Sequence, residues 1–503
     1  MSSVRPKILC LINAAAYCRT YFEELRPYVE QRGVDMVFAL DSHLSDVLYA
    51  PDSGPLPDGW YFTDFCAENP APQVESAARG DLRWDLLFSD FDRFLTIDMD
   101  IPLKEEGVLT YAQIPYQLDR FFNTIFDVER PQAVLYEQAS NSFALAANKI
   151  AKERGIPFFS LAPGRIAGRV EISPTGALRD HATVARIWER VKREGASEEA
   201  VSIANHYIST VEEQVPDYMR AGGDGEVLSR TGLMSKYVNA DKLGHVWRGL
   251  RYRWRHQRDV KFAYLFGDPI SVSWALFRRS WKRRLRVAQV LRLYRSWPLP
   301  GAYFLYPLHF HPESSTSVLA PDFIDEMSVI KAIAFRLPAH VRLAVKEHPS
   351  AVALQPTEFY RQLNALPNVD LIGPGANAKR LARGSVGVIC VTSTLGFEAA
   401  ALNKPVICLG DVLYGYFPNV RMIQHYGDLR AALDWAIDYR SINPDDIAGA
   451  MAAYVEFTDP GMFSFRESLG DVAALDNIAA ILAHRLTTGE PLMRSNHPAD
   501  RHE

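Results

Sequence analysis

The chain contains 503 residues with a net charge of −5 at pH 7, and 48% of its residues are hydrophobic while 23% are charged. This composition is close to average globular usage and excludes a disordered or fibrous chain, and the charge balance excludes a wholly basic nucleic-acid-binding protein. The five cysteines show neither CxxC pairs nor zinc-finger spacing, and no uncharged apolar run reaches ~18 residues. We therefore expect two or three domains in a cytoplasmic protein without disulfides, structural zinc or a membrane span.

The N-terminal part of the sequence alternates between strand-length apolar runs and segments with helical periodicity. Residues 46–81 are rich in Pro, Gly and Asp and predict an insertion loop. Strand–helix–strand units of the observed length indicate a parallel sheet with helices on its faces. The pattern predicts strands at 7–13, 34–40, 133–136 and 156–161, and helices at 17–31, at 141–154 and over most of 184–220.

Residues 248–295 differ from the rest of the chain in charge. They contain fourteen Lys and Arg residues and two acidic residues, so the segment carries +12 and the remainder of the chain carries −17. Aromatic residues are interleaved with these cations, which is typical of a helix lying on an anionic membrane surface. The alternative is a pair of solvated linker helices whose arginine stems cover an apolar face. We expect contact with the anionic inner membrane surface through residues 248–295.

A second series of strands and helices begins after residue 300. Its pattern predicts strands at 302–307, 341–347, 369–371, 386–391 and 405–409, and helices at 322–336, 395–402, 431–439 and 475–485. The predicted fold class is α/β, with two Rossmann-like domains, a helical connector and a ligand between the domains at the carboxyl ends of the strands. The predicted parts are an N-terminal domain at 1–240, the connector at 241–300, a C-terminal domain at 301–430, closing helices at 431–486 and a flexible tail at 487–503.

Lys346 and His348 lie at the end of one predicted strand of this second series, so a cation and an imidazole lie close together there. His348 can donate a hydrogen bond to a phosphate oxygen, or protonate that oxygen as its bond breaks. Pro349 fixes the turn that aims the imidazole ring. The alternative is an ordinary surface His-Pro turn.

Two more polar segments follow strands of the second series. The hydroxyls of Thr392, Ser393 and Thr394 lie at a strand-to-helix turn, where they can cap the helix or bind an anion at its N-terminus. Glu398, one turn later, can bind a ribose hydroxyl or interact with the helix dipole. The loop after the first strand of the series either faces the cleft or forms a hydrogen-bonded scaffold, and it holds His309, His311 and Glu313.

Four short motifs follow one another along the second series: PLHFHPESST at 307–316, VKEHPS at 345–350, TSTLGFEAA at 392–400 and KPVICLGD at 404–411. Their order resembles that of the bacterial capsule polysaccharide biosynthesis family, most closely over residues 303–414 and more weakly over 134–169. This family has the GT-B arrangement and includes β-Kdo transferases that use CMP-Kdo, where Kdo is 3-deoxy-manno-octulosonic acid. The resemblance implies a glycosyltransferase that transfers Kdo or a related ulosonic acid from a CMP-sugar to a lipid-linked glycan acceptor.

The resemblance also implies roles for individual residues in a donor site that needs no metal and no other cofactor. It places His348, Ser393 and Thr394 on the single phosphate of the donor, with Lys346 as added positive charge and Glu398 near the ribose. The other residues expected to bind the donor are His309, Pro349, Thr392, Gly396 and Asp411. The Asp-x-Asp sequences at 90–92 and 98–100 fall outside this site, and we interpret them as surface acids.

The acceptor side of the cleft is expected in the N-terminal series. Glu137 follows a buried strand and is a candidate general acid or base toward the acceptor hydroxyl, and Gln138 and Asn141 follow it closely. Arg165 and Arg169 come after the next strand and suit a sugar carboxylate, because a guanidinium binds a carboxylate through two parallel hydrogen bonds. The alternatives are a strand-end Glu held by a backbone amide, and surface arginines. His311 is also expected to contact the sugar or the acceptor.

Several questions of mechanism and function stay open at this stage. If transfer retains the anomeric configuration, a carboxylate can trap the oxocarbenium-like centre, and Glu313 is the candidate nucleophile. The alternative functions are a UDP-sugar 2-epimerase-like enzyme, a glycerophosphotransferase, and a non-catalytic polysaccharide-binding or export protein. A lipid-linked acceptor implies peripheral attachment to the inner face of the cytoplasmic membrane.

Overall fold

Two predominantly parallel β-sheets organise the chain in the computed structural model, which describes residues 5–13, 17–49, 54–71, 109–110, 112–176, 180–215, 240–265, 268–295, 301–310 and 314–488. The strands in these residues are β1 (Lys7–Ile12), β2 (Asp35–Leu40), β3 (Gly59–Tyr61), β4 (Ala133–Tyr136), β5 (Phe158–Pro163), β6 (Arg169–Ser173), β7 (Ala302–Pro307), β8 (Val341–Lys346), β9 (Val369–Ile372), β10 (Gly387–Cys390), β11 (Val406–Cys408), β12 (Val420–Met422) and β13 (Asp459–Pro460).

The α-helices in the same residues lie between these strands and in the connector. They are α1 (Cys18–Gln31), α2 (Leu44–Tyr49), α3 (Phe62–Glu68), α4 (Gln113–Glu129), α5 (Ser142–Glu153), α6 (His181–Glu194), α7 (Glu198–Thr210), α8 (Ala240–Arg255), α9 (Gln257–Phe262), α10 (Pro269–Val290), α11 (Ser314–Ser317), α12 (Glu326–Ala334), α13 (Thr357–Ala365), α14 (Ala378–Gly384), α15 (Thr394–Ala401), α16 (Leu429–Ile437), α17 (Pro444–Phe457) and α18 (Val472–Thr488).

The first sheet has the strand order β13-β6-β5-β4-β1-β2-β3. Strands β1 to β5 are parallel to one another, whereas β6 is antiparallel to both of its neighbours. Buried residues run without alternation from Ile8 to Ile12, as expected for a parallel strand that is covered on both faces. The strand order reverses between β1 and β4, so a topological switch point lies at the carboxyl ends of these two strands.

The second sheet is entirely parallel and has the order β12-β11-β10-β7-β8-β9. Read from β9, this is the 3-2-1-4-5-6 order of a dinucleotide-binding fold, and its switch point lies between β7 and β10. The prediction of an α/β protein with two Rossmann-like domains and a helical connector is therefore confirmed.

The last helices of the described chain divide between the two sheets. Leu433 of α16 lies in the apolar core of the second sheet, whereas Ile478 and Leu482 of α18 lie in the core of the first. A buried ion pair fixes this return, because Arg485 of α18 donates to the carboxylate of Asp459 over 2.5 Å. The chain thus crosses back to the N-terminal sheet after it completes the C-terminal one.

The connector helices contact the N-terminal and C-terminal parts of the fold. Helices α8 and α9 pack against α2 and α3, and α10 packs against α13. None of the helices in the described part of the chain combines the length and the apolar character needed to cross a bilayer.

The prediction of a loop throughout 46–81 is wrong at 46–49 and 59–68, where the described residues form helices and a strand. Within the described residues 54–71, a short strand and a helix occupy Gly59–Tyr61 and Phe62–Glu68. The strand adds to the sheet edge through parallel pairing with Phe38–Leu40. Three residues are too few to show a two-residue period, so the turn-forming composition of the surrounding segment concealed them.

Candidate functional site

His309 and Thr392 meet at the switch point of the second sheet. The backbone N–H of Thr392 donates to Nε2 of His309 over 3.2 Å, and Nδ1 of His309 lies 3.2 Å from Oε1 of Glu326. The same Glu326 oxygen accepts from the backbone N–H of His309 over 2.9 Å. Because Nε2 accepts, the ring proton lies on Nδ1 and points to the carboxylate. His309 therefore ties the ends of β7 and β10 together.

His348 forms the first turn after β8 and is only partly buried. Its Nδ1 accepts from the backbone N–H of Ser350 over 3.2 Å, so Nε2 carries the proton in the neutral ring. Burial lowers the pKa of His348 to about 4, and the neighbouring His309 and Lys346 act in the same direction. The ring of Phe310 lies 6.0 Å from the imidazole. His348 is thus a neutral hydrogen-bond donor at neutral pH.

Two buried charged residues precede this imidazole. Nζ of Lys346 donates to the backbone oxygen of Glu347 over 3.1 Å, and burial lowers the pKa of this lysine to about 8. The Glu347 carboxylate accepts from the His348 N–H over 3.0 Å and from the Tyr294 hydroxyl over 2.9 Å. Burial nevertheless raises the pKa of Glu347 to about 7. A water-sized cavity of about 10 Å³ is lined by Glu326 and Glu347 among others.

The turn from β10 into α15 places several hydroxyl groups together. Oγ of Ser393 caps the helix by accepting from the Leu395 N–H over 3.2 Å, and Thr394 is the first helical residue. Oγ1 of Thr392 is buried and has no hydrogen-bond partner among the described residues. This turn therefore presents an unsatisfied hydroxyl beside the N-terminus of a helix.

Gly396 leaves room for a tyrosine under the same turn. A Cβ at this position would overlap with the hydroxyl of Tyr414, which donates to the Ser393 backbone oxygen over 2.5 Å. The absence of a side chain at Gly396 thus permits the close approach of Tyr414, and the predicted contact of Gly396 with the donor stays a prediction.

Glu398 and Asp411 have partners within the protein. The Glu398 carboxylate lies 3.1 Å from Nζ of Lys379, and burial raises the pKa of Glu398 despite the opposing effect of this lysine. The Asp411 N–H donates to the Leu319 backbone oxygen over 3.1 Å. A ribose that binds Glu398 would share its carboxylate with Lys379.

Some predicted positions fall outside the described residues. These are His311, Glu313 and the two Asp-x-Asp sequences at 90–92 and 98–100. Among the residues that are described, no group of three His, Cys, Asp or Glu side chains is placed to hold a metal ion.

Glu137 lies directly after β4, at the switch point of the first sheet. Burial raises the pKa of its carboxyl to about 7. Asn141 instead caps α5, because its Oδ1 accepts from the Ala144 N–H over 2.9 Å, and its Nδ2 donates to the Tyr136 hydroxyl over 3.3 Å. Gln138 lies between them and is partly buried. Glu137 is the only one of these three side chains that titrates, and burial brings its pKa close to neutral pH.

Arg165 connects the carboxyl edges of the two sheets. Its guanidinium carbon lies 5.9 Å from the centre of the Phe397 ring and 6.0 Å from that of Tyr414, so the edge of the first sheet faces the α15 turn. The same guanidinium forms an ion pair with Glu171, and the Arg165 N–H donates to the Tyr454 hydroxyl over 2.7 Å. An incoming sugar carboxylate would therefore compete with Glu171.

Arg169 is held within the fold by α17 and the residue that follows it. Its Nε donates to Oγ1 of Thr458 over 2.8 Å, and one terminal nitrogen donates to the Val455 backbone oxygen over 2.7 Å. These bonds link β6 to the end of α17, and the predicted contact of Arg169 with a sugar carboxylate stays a prediction.

The connector supports the His348 turn, which the sequence alone did not indicate. Arg283 of α10 donates to the backbone oxygens of Val352 over 2.6 Å and Ser350 over 3.0 Å. Arg286 donates to the Leu354 backbone oxygen over 3.2 Å. A helix of the basic segment therefore holds the residues that follow His348 and Pro349.

Comparison with known proteins identifies one family. Residues 297–417 match the model of the family described as "Capsule polysaccharide biosynthesis protein". No curated protein matches the chain. Among solved structures, the chain is similar to the KpsC β-Kdo 2,4 transferase of Thermosulfurimonas dismutans, with 15% identity over 64% of this chain and 79% of that one and a TM-score of 0.35.

Another similar structure is the UDP-GlcNAc 2-epimerase of Methanocaldococcus jannaschii, with 10% identity over 88% of this chain and 97% of that one and a TM-score of 0.30. The UDP-GlcNAc 2-epimerase of Neisseria meningitidis shows 13% identity over 96% and 99% of the two chains and a TM-score of 0.27. Similarities at this level do not distinguish a transferase from an epimerase.

Proposed function

We propose that the chain is a glycosyltransferase of surface-polysaccharide synthesis, because its residues 297–417 match the model of the capsule polysaccharide biosynthesis family. The proposed donor is CMP-Kdo or another CMP-activated ulosonic acid, and the proposed acceptor is a lipid-linked glycan at the inner face of the cytoplasmic membrane. The observation that carries this proposal is the placement of His309, His348 and Thr392 at the ends of β7, β8 and β10, inside the family segment.

The donor-site chemistry suits one phosphate. His348 offers a neutral Nε2–H, Thr392 offers an unpartnered hydroxyl, and α15 directs the positive end of its dipole toward the same turn. Lys346 supplies one nearby positive charge, which its lowered pKa of about 8 keeps largely in place at neutral pH. These groups can stabilise the negative charge that develops on a leaving CMP phosphate without an additional cation.

The acceptor-site chemistry suits removal of a proton from a hydroxyl. The raised pKa of Glu137, about 7, leaves a carboxylate that is a better base than an ordinary one and is still substantially ionised at neutral pH. We assign to Glu137 the removal of the proton from the acceptor hydroxyl. We assign to Arg165 the binding of the sugar carboxylate. The switch points of the two sheets then each contribute one half of the reaction.

A nucleotide panel tests the donor class. We expect CMP to raise the melting temperature more than UDP, GDP or CDP, because a ligand at ~100 times its dissociation constant stabilises by roughly 2.7 kcal/mol. Preferential stabilisation by UDP would contradict a CMP donor and favour an epimerase. Stabilisation by none of the four would contradict a nucleotide-sugar enzyme and favour a polysaccharide-binding or export protein.

A turnover assay tests the reaction itself. Incubation of the protein with CMP-Kdo and a membrane extract that contains lipid-linked glycan should release CMP and label the lipid fraction. The matched control is His340→Ala, which removes an exposed histidine at the amino end of β8, whereas the site lies at the carboxyl ends of the strands. Absence of both CMP release and lipid labelling with wild-type protein would refute the proposal.

A further inference from the structure

Nine large apolar side chains in the described part of the connector are exposed, although such side chains are usually buried in a soluble domain, and six of the nine follow the spacing of a helix face. The exposed fractions of these six range from 44% to 71%. Three belong to α8 and three to α10: Trp247, Leu250, Trp254, Trp274, Trp281 and Leu285. We call these six side chains the tryptophan face.

The members on α10 lie along one side of the helix. At about 100° per residue, Trp274, Trp281 and Leu285 fall within about 40° of one another around the helix axis. The buried residues Ala275 and Arg279 fall on the other side, where α10 meets the protein. The exposed stripe therefore points away from the C-terminal domain.

The members on α8 repeat this arrangement. Trp247, Leu250 and Trp254 have the spacing of three and four residues that defines one helix face. The buried Tyr252 points elsewhere, because its hydroxyl donates to the Asp259 carboxylate. Helix α8 is thus attached to the protein through Tyr252 and exposes its tryptophans on another side.

The two helices form one packed unit. A Cβ at Gly249 of α8 would lie 3.4 Å from Ile270 at the start of α10, and Arg253 forms an ion pair with Asp268 over 3.3 Å. The exposed stripes are therefore carried by helices in direct contact. The surrounding segment 248–295 has a charge of +12 in a chain whose other residues carry −17.

We propose that the tryptophan face is a docking surface for an anionic lipid bilayer. An indole has a large apolar ring and one N–H donor, which suits the depth of the lipid headgroups, and arginines beside it suit lipid phosphates. Exposed Arg251 and Arg255 lie on α8 among the tryptophans of this face. The positive charge of the surrounding segment favours an anionic bilayer, in which the indoles would lie at headgroup depth while the arginines contact lipid phosphates. The surface does not depend on the proposed transfer reaction.

Co-sedimentation with vesicles tests this proposal with the purified full-length chain. We expect binding to phosphatidylcholine vesicles that contain phosphatidylglycerol, little binding to pure phosphatidylcholine vesicles, and weaker binding as salt is added. The W274A/W281A double variant should bind the anionic vesicles about tenfold more weakly for each indole removed. The control is Phe335→Ala, which removes an aromatic ring that is 72% exposed outside the connector and should leave binding unchanged.

Three outcomes would overturn the proposal. They are no binding of the wild-type chain to anionic vesicles, unchanged binding of the double variant, and an equal loss in Phe335→Ala. Sedimentation velocity without lipid supplies a further check. A wild-type dimer that the double substitution converts to a monomer would make the face a subunit interface instead. No donor or acceptor is present in these assays, so their failure would leave the transferase proposal standing.

Discussion

Two substitutions of His348 can separate the roles of its two ring nitrogen atoms. Nδ1 accepts from the Ser350 N–H over 3.2 Å, and Nε2–H is the group assigned to the leaving phosphate. An asparagine carries an acceptor near the position of Nδ1 and has no group that reaches as far as Nε2, whereas a glutamine amide reaches the Nε2 position but is poorly placed to accept from Ser350. His348→Asn therefore removes the catalytic donor, and His348→Gln removes the turn contact.

The two losses differ in size and in the quantity that they change. Loss of one hydrogen-bond donor to a developing negative charge typically lowers the rate by on the order of 10²–10³. Loss of one capping contact costs about 1 kcal/mol of stability. We therefore expect His348→Asn to keep its free energy of unfolding and to lose most of its kcat. His348→Gln should lose about 1 kcal/mol and retain a larger share of activity.

Single-turnover release of CMP and urea unfolding measure these two effects on the same preparations. His340→Ala is the control, because it removes an exposed histidine that does not follow a strand of the second sheet. Near-wild-type turnover in His348→Asn would refute the assignment of Nε2–H to the phosphate. Equal inactivity of both variants with equal destabilisation would show that the turn, and not the donor, limits the reaction.

Three further predictions concern protonation and packing. The kcat/KM should rise with pH through about 7 as Glu137 ionises and fall through about 8 as Lys346 loses its proton, and Glu137→Gln should remove the acidic limb. Because the folded pKa of Glu347 is raised to about 7, its contribution to stability is complete below the unfolded pKa and is lost as pH rises through about 7. The difference in unfolding free energy between wild type and Glu347→Gln should therefore change by roughly 3 kcal/mol between the ordinary Glu pKa of 4.5 and pH 7. Urea titration at each pH measures this change. Gly396→Ala should cost about 1–3 kcal/mol in the same measurement, because its methyl group overlaps with the Tyr414 hydroxyl, and unchanged stability would contradict that overlap.

The sequence was sufficient to predict the positions where polar residues leave the sheets. His309, His348 and Thr392 each follow an apolar run of strand length, and the parallel order of such runs brings their carboxyl ends to one edge. Glu137 was found in the same way after β4. This success follows from local information, because an apolar run and the polar residue that ends it are adjacent in the chain.

Partners that are distant in the chain were not predictable in this way. Glu326 holds His309 from 17 residues away, Lys379 pairs with Glu398, and Glu171 occupies Arg165. Each partner is an ordinary charged residue on a helix or strand, with no motif around it. Their roles depend on which elements pack together, and an alternating α/β pattern is compatible with several packings.

The exposure of individual connector residues could not be predicted from the sequence either. The composition of 248–295 predicted a contact with anionic lipid, but it did not show which arginines and tryptophans face outward. In the structure, Arg279 is buried and Arg283 donates to backbone oxygens, so these two cations face the protein. Only the packing of α10 shows that its tryptophans are the outward residues.

The two sides of α10 have different surroundings. Its outer side carries Trp274 and Trp281, and its inner side holds the turn after His348 through the two bonds from Arg283. A helix is stiff over this length because its backbone hydrogen bonds run along its axis. If the tryptophan face binds a bilayer as proposed, the helix that meets the lipid is also the helix whose Arg283 holds the backbone after His348.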